Sequence, residues 1–170
     1  MLDLSQAIHS LEVNGRRLAA LVSAATPEQA RWKPDPTSWS LLEVVNHLYD
    51  EERSDFRVRL DIILHRPHQE WPAIDPVGWV EQRRYNEREL GTSIQAFLAE
   101  RERSLLWLRG LQRPQWDAVY QAPWGKIRAG DMLAAWVAHD LLHMRQCVEL
   151  HWAYLTHRMT PYRPDYAGGW

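Results

Sequence analysis

Apolar residues recur along the chain three and four positions apart, the period of a helix, and almost nowhere in the two-residue alternation of a strand. Leu4 to Ser23 places Ile8, Leu11, Leu18, Leu21 and Val22 roughly on one side and predicts a first helix. The segment ATPEQARWKPDPTSW, with three prolines, ends it and makes a long connection. SLLE, from Ser40 to Glu43, has the form of a capping box and opens a second helix reaching about His65, where RPHQEWPAIDP stops it. A short helical piece is predicted over Trp79 to Glu89 and a longer helix over Thr92 to Leu111, with Phe97, Leu98, Leu105 and Leu108 inward. QRPQWDAVYQAPWGKIRAG reads as a loop, and Asp131 as the N-cap of a last helix from Met132 to about His157. Four long helices predict an all-α four-helix bundle with long connecting loops. It forms one domain over residues 1–157, with an irregular tail over 158–170, rich in proline and glycine.

Composition narrows the function. At 170 residues the chain suffices for one sizeable core, and with 45% hydrophobic residues and a net charge of -2 it lacks the basic face of a nucleic-acid binder. MLDLSQAIHS has no basic region followed by a long apolar stretch, and no window reaches the roughly 18 apolar residues of a membrane helix. With Cys147 the single cysteine, the expectation is a cytoplasmic protein without a membrane or nucleic-acid partner. The ten tryptophans read first as core and rim packing, some as ligand-lining groups.

The candidate chemistry lies in AHDLLHMRQ, residues 138–146. His139 and His143 are four apart, so on a helix they stack one above the other with Cβ atoms about 6 Å apart. Met132, Trp136, Cys147, Leu150 and Tyr154 share their side, which aims both rings inward. Two readings fit: core histidines bonded to backbone or water, or two ligands of a metal. A catalytic zinc-type site takes three protein ligands and leaves one position open, so a third must come from elsewhere. The zincin pattern fails because Asp140 stands where its glutamate belongs; paired E-x-x-H motifs of di-iron bundles are absent. The His139-Asp140 pair matches HD-type phosphohydrolases only in part, since their further downstream aspartate finds no counterpart but Asp165 in the tail. The best third ligand is His47. Its strip, Val44, His47, Glu51, Ser54, Val58 and Ile62, lies beside the main apolar stripe of Leu41, Val45, Leu48, Phe56 and Ile63, and fits either a pocket wall or a solvent face.

With these stretches in view, the chain resembles the DinB-like/YfiT family of metal-dependent proteins. The resemblance rests on W-x-P followed by W-S-x-x-E-x-x-x-H from Trp32 to His47, R-x-x-x-L-x-x-L from Arg101 to Leu108, and G-x-x-x-x-G-D…H-D-x-x-H-x-x-Q from Gly125 to Gln146. It covers about residues 4 to 155. It implies a four-helix bundle in which His47, His139 and His143 hold a divalent metal, zinc or nickel, and a homodimer. It also implies either thiol-dependent transfer or isomerisation, with a low-molecular-weight thiol such as bacillithiol, mycothiol or glutathione as cosubstrate, or hydrolysis of a small molecule. A water on such a metal can have its pKa lowered to about 7, which serves hydrolysis; the same open position would accept a thiolate.

Glu51, one turn beyond His47, is the expected general base or water-orienting group, its alternative being a surface glutamate paired with arginine. Asp140 is expected to orient an imidazole, or to be solvated, since it stands about 100° round the helix from His139. Cys147 is expected to be a small buried apolar group. A second apolar strip on the last helix, Val137, Leu141, Met144 and Val148, is more than one bundle core can bury and predicts a homodimer. The competing class is a non-catalytic bundle that binds a metal or ligand and acts through that interface.

Overall fold

The computed structural model describes residues 3–169. Helix α1, Leu4–Ser23, is capped by Asp3, whose side chain accepts the Gln6 N–H, and a short α2, Pro27–Arg31, interrupts the connection after it. Helix α3, Leu41–Glu51, starts with both bonds of the capping box: Glu43 N–H to Ser40 Oγ at 3.1 Å and Ser40 N–H to Glu43 Oε2 at 2.8 Å. It runs through a π-helical turn, Glu52–Phe56, into α4, Arg57–His65.

The segment predicted as one helical piece is α5, Gly78–Gln82, followed by a 3-10 turn at Tyr85–Glu87. Helix α6, Leu90–Gly110, begins two residues before the predicted Thr92 because the Glu89 carboxylate caps Gly91 and Thr92. Inside the predicted loop lies an antiparallel hairpin, β1 Val119–Ala122 with β2 Gly125–Arg128, in which Ala122 pairs with Gly125. Pro123 and Trp124 form its two-residue turn, and Gly125 takes φ 143°, a left-side conformation open to glycine.

The last helix, α7, runs Ala129–Met159, 31 residues. Asp131 is therefore not its N-cap: it sits in the first turn and its carboxylate returns to the Arg128 N–H at 3.2 Å and to the Arg128 guanidinium. A carboxylate one turn inside a helix satisfies an orphan N–H and meets the positive end of the helix dipole, so the signal was real and its position misread.

The bundle consists of α1, the continuous α3–π–α4 rod, α6 and α7, with α1 packed on α6 and α7, and the rod packed on α6 and α7. Its apolar interior is two clusters. One gathers Leu11, Phe56, Leu60, Ile63, Leu105, Leu108, Leu133 and Trp136; the other Leu18, Val22, Leu42, Val45, Leu48, Phe97, Cys147 and Leu150. Every long helix passes from one cluster to the other, and the order of passage gives its direction. Helices α1 and α7 run one way, the rod and α6 the other.

Between the clusters each helix contributes buried polar groups: Asn14 from α1, Glu51 and Glu52 from the rod, Glu100, Arg101 and Ser104 from α6, Asp140 from α7. The candidate site is part of this layer.

The rod is covered on its outer side as well. Every residue of α3 but Tyr49 is buried, because Trp79, Val80 and Tyr85 of the segment between α4 and α6 pack over it. Tyr85 donates its hydroxyl to Asp50, which also pairs with Arg83 at 2.6 Å.

Candidate functional site

His47 enters from the last turns of α3, and His139 and His143 from the middle of α7. The enclosed α3 settles the two faces predicted for it: His47 is buried at 5% exposure rather than solvated. Just beyond, where the rod passes through the π turn, Glu51, Glu52, Asp55 and Phe56 are all buried.

The three rings meet tip to tip. His139 Nε2 lies 3.4 Å from His47 Nε2 and 3.1 Å from His143 Nε2, and the three ligand atoms fall within 4.8 Å of one another. On the far side of its ring, His143 Nδ1 donates to Gln146 Oε1 at 2.8 Å, which leaves the His143 Nε2 lone pair facing the other rings. His47 Nδ1 is buried without a hydrogen bond, with Glu51 Oε1 3.9 Å away.

Burial and mutual repulsion keep the rings neutral. Desolvation and then His143 push His47 down to about 3. Desolvation and the two neighbouring rings lower His139, and desolvation lowers His143. Three neutral imidazoles that converge through ring nitrogens crowd their lone pairs together, an arrangement that a cation relieves. Tetrahedral bonds of 2.0–2.1 Å to a zinc-like ion set neighbouring nitrogens about 3.3 Å apart, and the two separations from His139 Nε2, 3.4 and 3.1 Å, bracket that figure. The donor set therefore fits a divalent metal with open positions left over.

The walls are aromatic and carboxylic. The Trp39 ring lies 4.8 Å from that of His47 and is parallel to His143 at 6.5 Å; Phe56 is 5.0 Å from His139. Glu51 is buried beside Asp55, and burial together with that neighbour raises its pKa; burial also raises Asp55, which Arg59 holds at 2.8 Å. A groove of about 510 Å³ between the Pro34–Trp39 segment and α7 leads from solvent to His143.

The four residues His47, Glu51, His139 and His143 thus lie together: spacing had paired His139 with His143 and His47 with Glu51, and the resemblance had joined the two pairs. Asp140 does not join them. It is neither solvated nor bonded to an imidazole: both its oxygens accept from Arg101, at 2.7 and 2.8 Å, in the polar layer. The 100° offset from His139 carries it past the site and into the bundle. Cys147 is fully buried among apolar neighbours, which pushes its thiol up to about 12. Trp39, Arg101 and Gln146 entered the reading from sequence only as motif positions, with no part at the site, and Asp55 did not enter it. Gln146 was findable, since a residue three beyond a helical histidine is within reach of its ring; the others act through contacts distant in sequence.

A bundle with three histidines gathered from its second and last long helices defines the class. The family model described as the DinB superfamily matches residues 10–147, and the chain belongs to that superfamily. Among solved structures it is similar to YfiT from Bacillus subtilis, described as "a probable metal-dependent hydrolase with an unusual four-helix bundle topology". The TM-score is 0.77 at 21% identity, with 88% of each chain covered. No curated protein matches the chain. Among the described residues no helix is long and apolar enough to cross a membrane.

Proposed function

We propose that this protein holds a divalent metal ion, zinc or nickel, through His47, His139 and His143 and hydrolyses a small molecule there. The observation that carries the reading is the approach of His47 Nε2 and His143 Nε2 to His139 Nε2, at 3.4 and 3.1 Å, with one ligand atom from each ring within 4.8 Å of the others. The description of YfiT as a metal-dependent hydrolase agrees with it. A bound ion supplies Lewis acidity and an activated water.

The chain's own groups do the rest. Gln146 fixes the tautomer of His143 by accepting from Nδ1, so that Nε2 is the ligand atom. Glu51, 3.9 Å from His47, is the proton-transfer group; burial and Asp55 push its pKa up to about 8, so that it takes up and releases a proton near neutral pH. Trp39 lines the groove beside His143, and Phe56 packs against His139 from the core side. Asp140, read from sequence as a catalytic helper, is assigned a supporting place behind His139.

The groove has room for a small substrate. The same open metal position would take a thiolate, so transfer or isomerisation with a low-molecular-weight thiol cosubstrate is the second chemistry to test. Leu141 and Val148 on α7 are exposed, at 55% and 39%, and support a homodimer through the Val137, Leu141, Met144 and Val148 strip. The single buried cysteine supports a cytoplasmic location.

Metal content of wild type beside His47→Ala and His143→Ala is the deciding measurement. About one divalent ion per chain in the wild type and none in either variant is expected. Ester hydrolysis or thiol conjugation that a chelator abolishes and metal restores then separates an enzyme from a non-catalytic metal-binding bundle. Light scattering at micromolar concentration tests the dimer, and a monomer mass removes it.

A further inference from the structure

Arg101 has no direct contact with the histidines, yet its surroundings tie it to them. Its side chain is 3% exposed and it makes four hydrogen bonds, three of them to two carboxylates. Nε donates to Glu52 Oε1 at 2.9 Å, and Nη2 lies in ion-pair contact with the same oxygen at 2.7 Å; Nη2 donates to Asp140 Oδ1 at 2.7 Å, and Nη1 to Asp140 Oδ2 at 2.8 Å and the Leu11 carbonyl at 2.7 Å. Trp136 Nε1 adds a bond to Glu52 Oε1 at 2.7 Å. Helix α1 makes way with a glycine: a Cβ on Gly15 would stand 3.3 Å from Arg101 Cγ.

What these partners share is their place in the chain. Glu52 directly follows Glu51 and opens the π turn; Asp140 directly follows His139. One guanidinium thus grips, through a planar fork, the residue next to the proposed proton-transfer group on the rod and the residue next to a ligand on α7. A fork with five fixed donor directions transmits orientation in a way that a point charge does not.

We propose that Arg101 is the positioning residue of the histidine site, setting the rotation of α7 against the π turn so that the His139 ring meets those of His47 and His143. The inference rests on the histidines forming the metal site, but its own signature is the ring geometry of the metal-free protein. Apart from that dependence it accounts for a buried guanidinium between two carboxylates, which apolar residues of similar volume would replace at little or no loss of stability.

The test uses the full chain and two variants: Arg101→Lys, which keeps the charge and loses the fork, and Asp140→Asn, which keeps the shape and weakens the pair. In the metal-free state, side-chain nitrogen spectra are recorded for the three histidines, with His151 as the control. That residue lies on the same helix but bonds to Gln29 and the Leu21 carbonyl at 2.8 Å each. Cobalt(II) is then titrated in, reading affinity and the visible absorption that reports coordination geometry. The expected result is displaced His139 resonances with His151 unmoved, cobalt affinity lowered about tenfold or more in Arg101→Lys, and an altered absorption band.

Lowered thermal stability with unmoved His139 resonances and cobalt affinity equal to wild type would overturn the proposal and leave Arg101 a purely structural group. If Arg101→Lys does not fold, Asp140→Asn decides on the same readings. A wild type that takes no cobalt would defeat the metal reading, while displaced His139 resonances in the variants would still sustain the positioning role.

Discussion

Acid sensitivity of the metal-free protein offers a direct check on the burial of the histidine cluster. A histidine whose pKa is lowered on folding takes up a proton in the unfolded chain first. Its neutral burial therefore costs nothing above the unfolded value of 6.5 and increasingly destabilises the fold as pH drops below it. For His47, held down to about 3 by burial, the difference persists across the whole interval from 6.5 to 3. Linkage over pH 7 to 5 gives a loss of about 2 kcal/mol for this one ring, since each unit of separation is worth about 1.4 kcal/mol.

The raised carboxyl pKa values of Glu51 and Asp55 work in the opposite sense over the same range, so the absolute slope is a poor reporter. Comparison with His47→Gln, neutral and of similar reach, isolates the ring. Urea unfolding of both proteins at half-unit steps from pH 7 to 5, after chelation, should show the wild type losing about 2 kcal/mol more than the variant. Parallel curves would refute the reasoning: His47 would then be taking up a proton in the folded state, and the cluster would be open to water rather than enclosed.

Three further outcomes are expected. Ser40→Ala should lower stability by about 1 kcal/mol in chemical denaturation, since it removes the hydroxyl that accepts the Glu43 N–H at the start of α3. Leu60→Ala, at a fully buried position of the first apolar cluster, should cost about 2–5 kcal/mol by the same assay. Cys147 should resist thiol reagents in the native protein at pH 8 and react at once in denaturant, because it is enclosed and its thiol is pushed up to about 12; fast native labelling would contradict its placement in the core.

The bundle was legible because its helices are long and its start signals are local. Ser40 and the proline-rich breaks act within a turn or two of themselves, and α1 ended where the spacing said it would. The histidine pair was legible for the same reason, since four residues on a helix fix a common face. His47 was harder: a wheel sorts one apolar side from one wet side, and α3 has no wet side, being wrapped by Trp79, Val80 and Tyr85. The π turn is likewise silent in sequence, as nothing in ERSDF breaks a helix. The hairpin was masked by its brevity, four residues a strand. Asp140 found its partner 39 positions away, beyond the reach of any local pattern.

The polar layer across the bundle has a consequence for how the protein tolerates change. Because Arg101, Glu52, Asp140 and Asn14 separate the apolar clusters, a cavity opened in one is not shared with the other. Substitutions such as Leu60→Ala and Phe97→Leu, one in each half, should then add in their effect on stability, as independent sites do, while pairs within one half should not. The molecule would behave as two mutational compartments with a rigid floor between them. Each can drift in sequence on its own except where it touches the histidines, as Phe56 of the first cluster does at His139 and Leu150 of the second does in the groove beside His143.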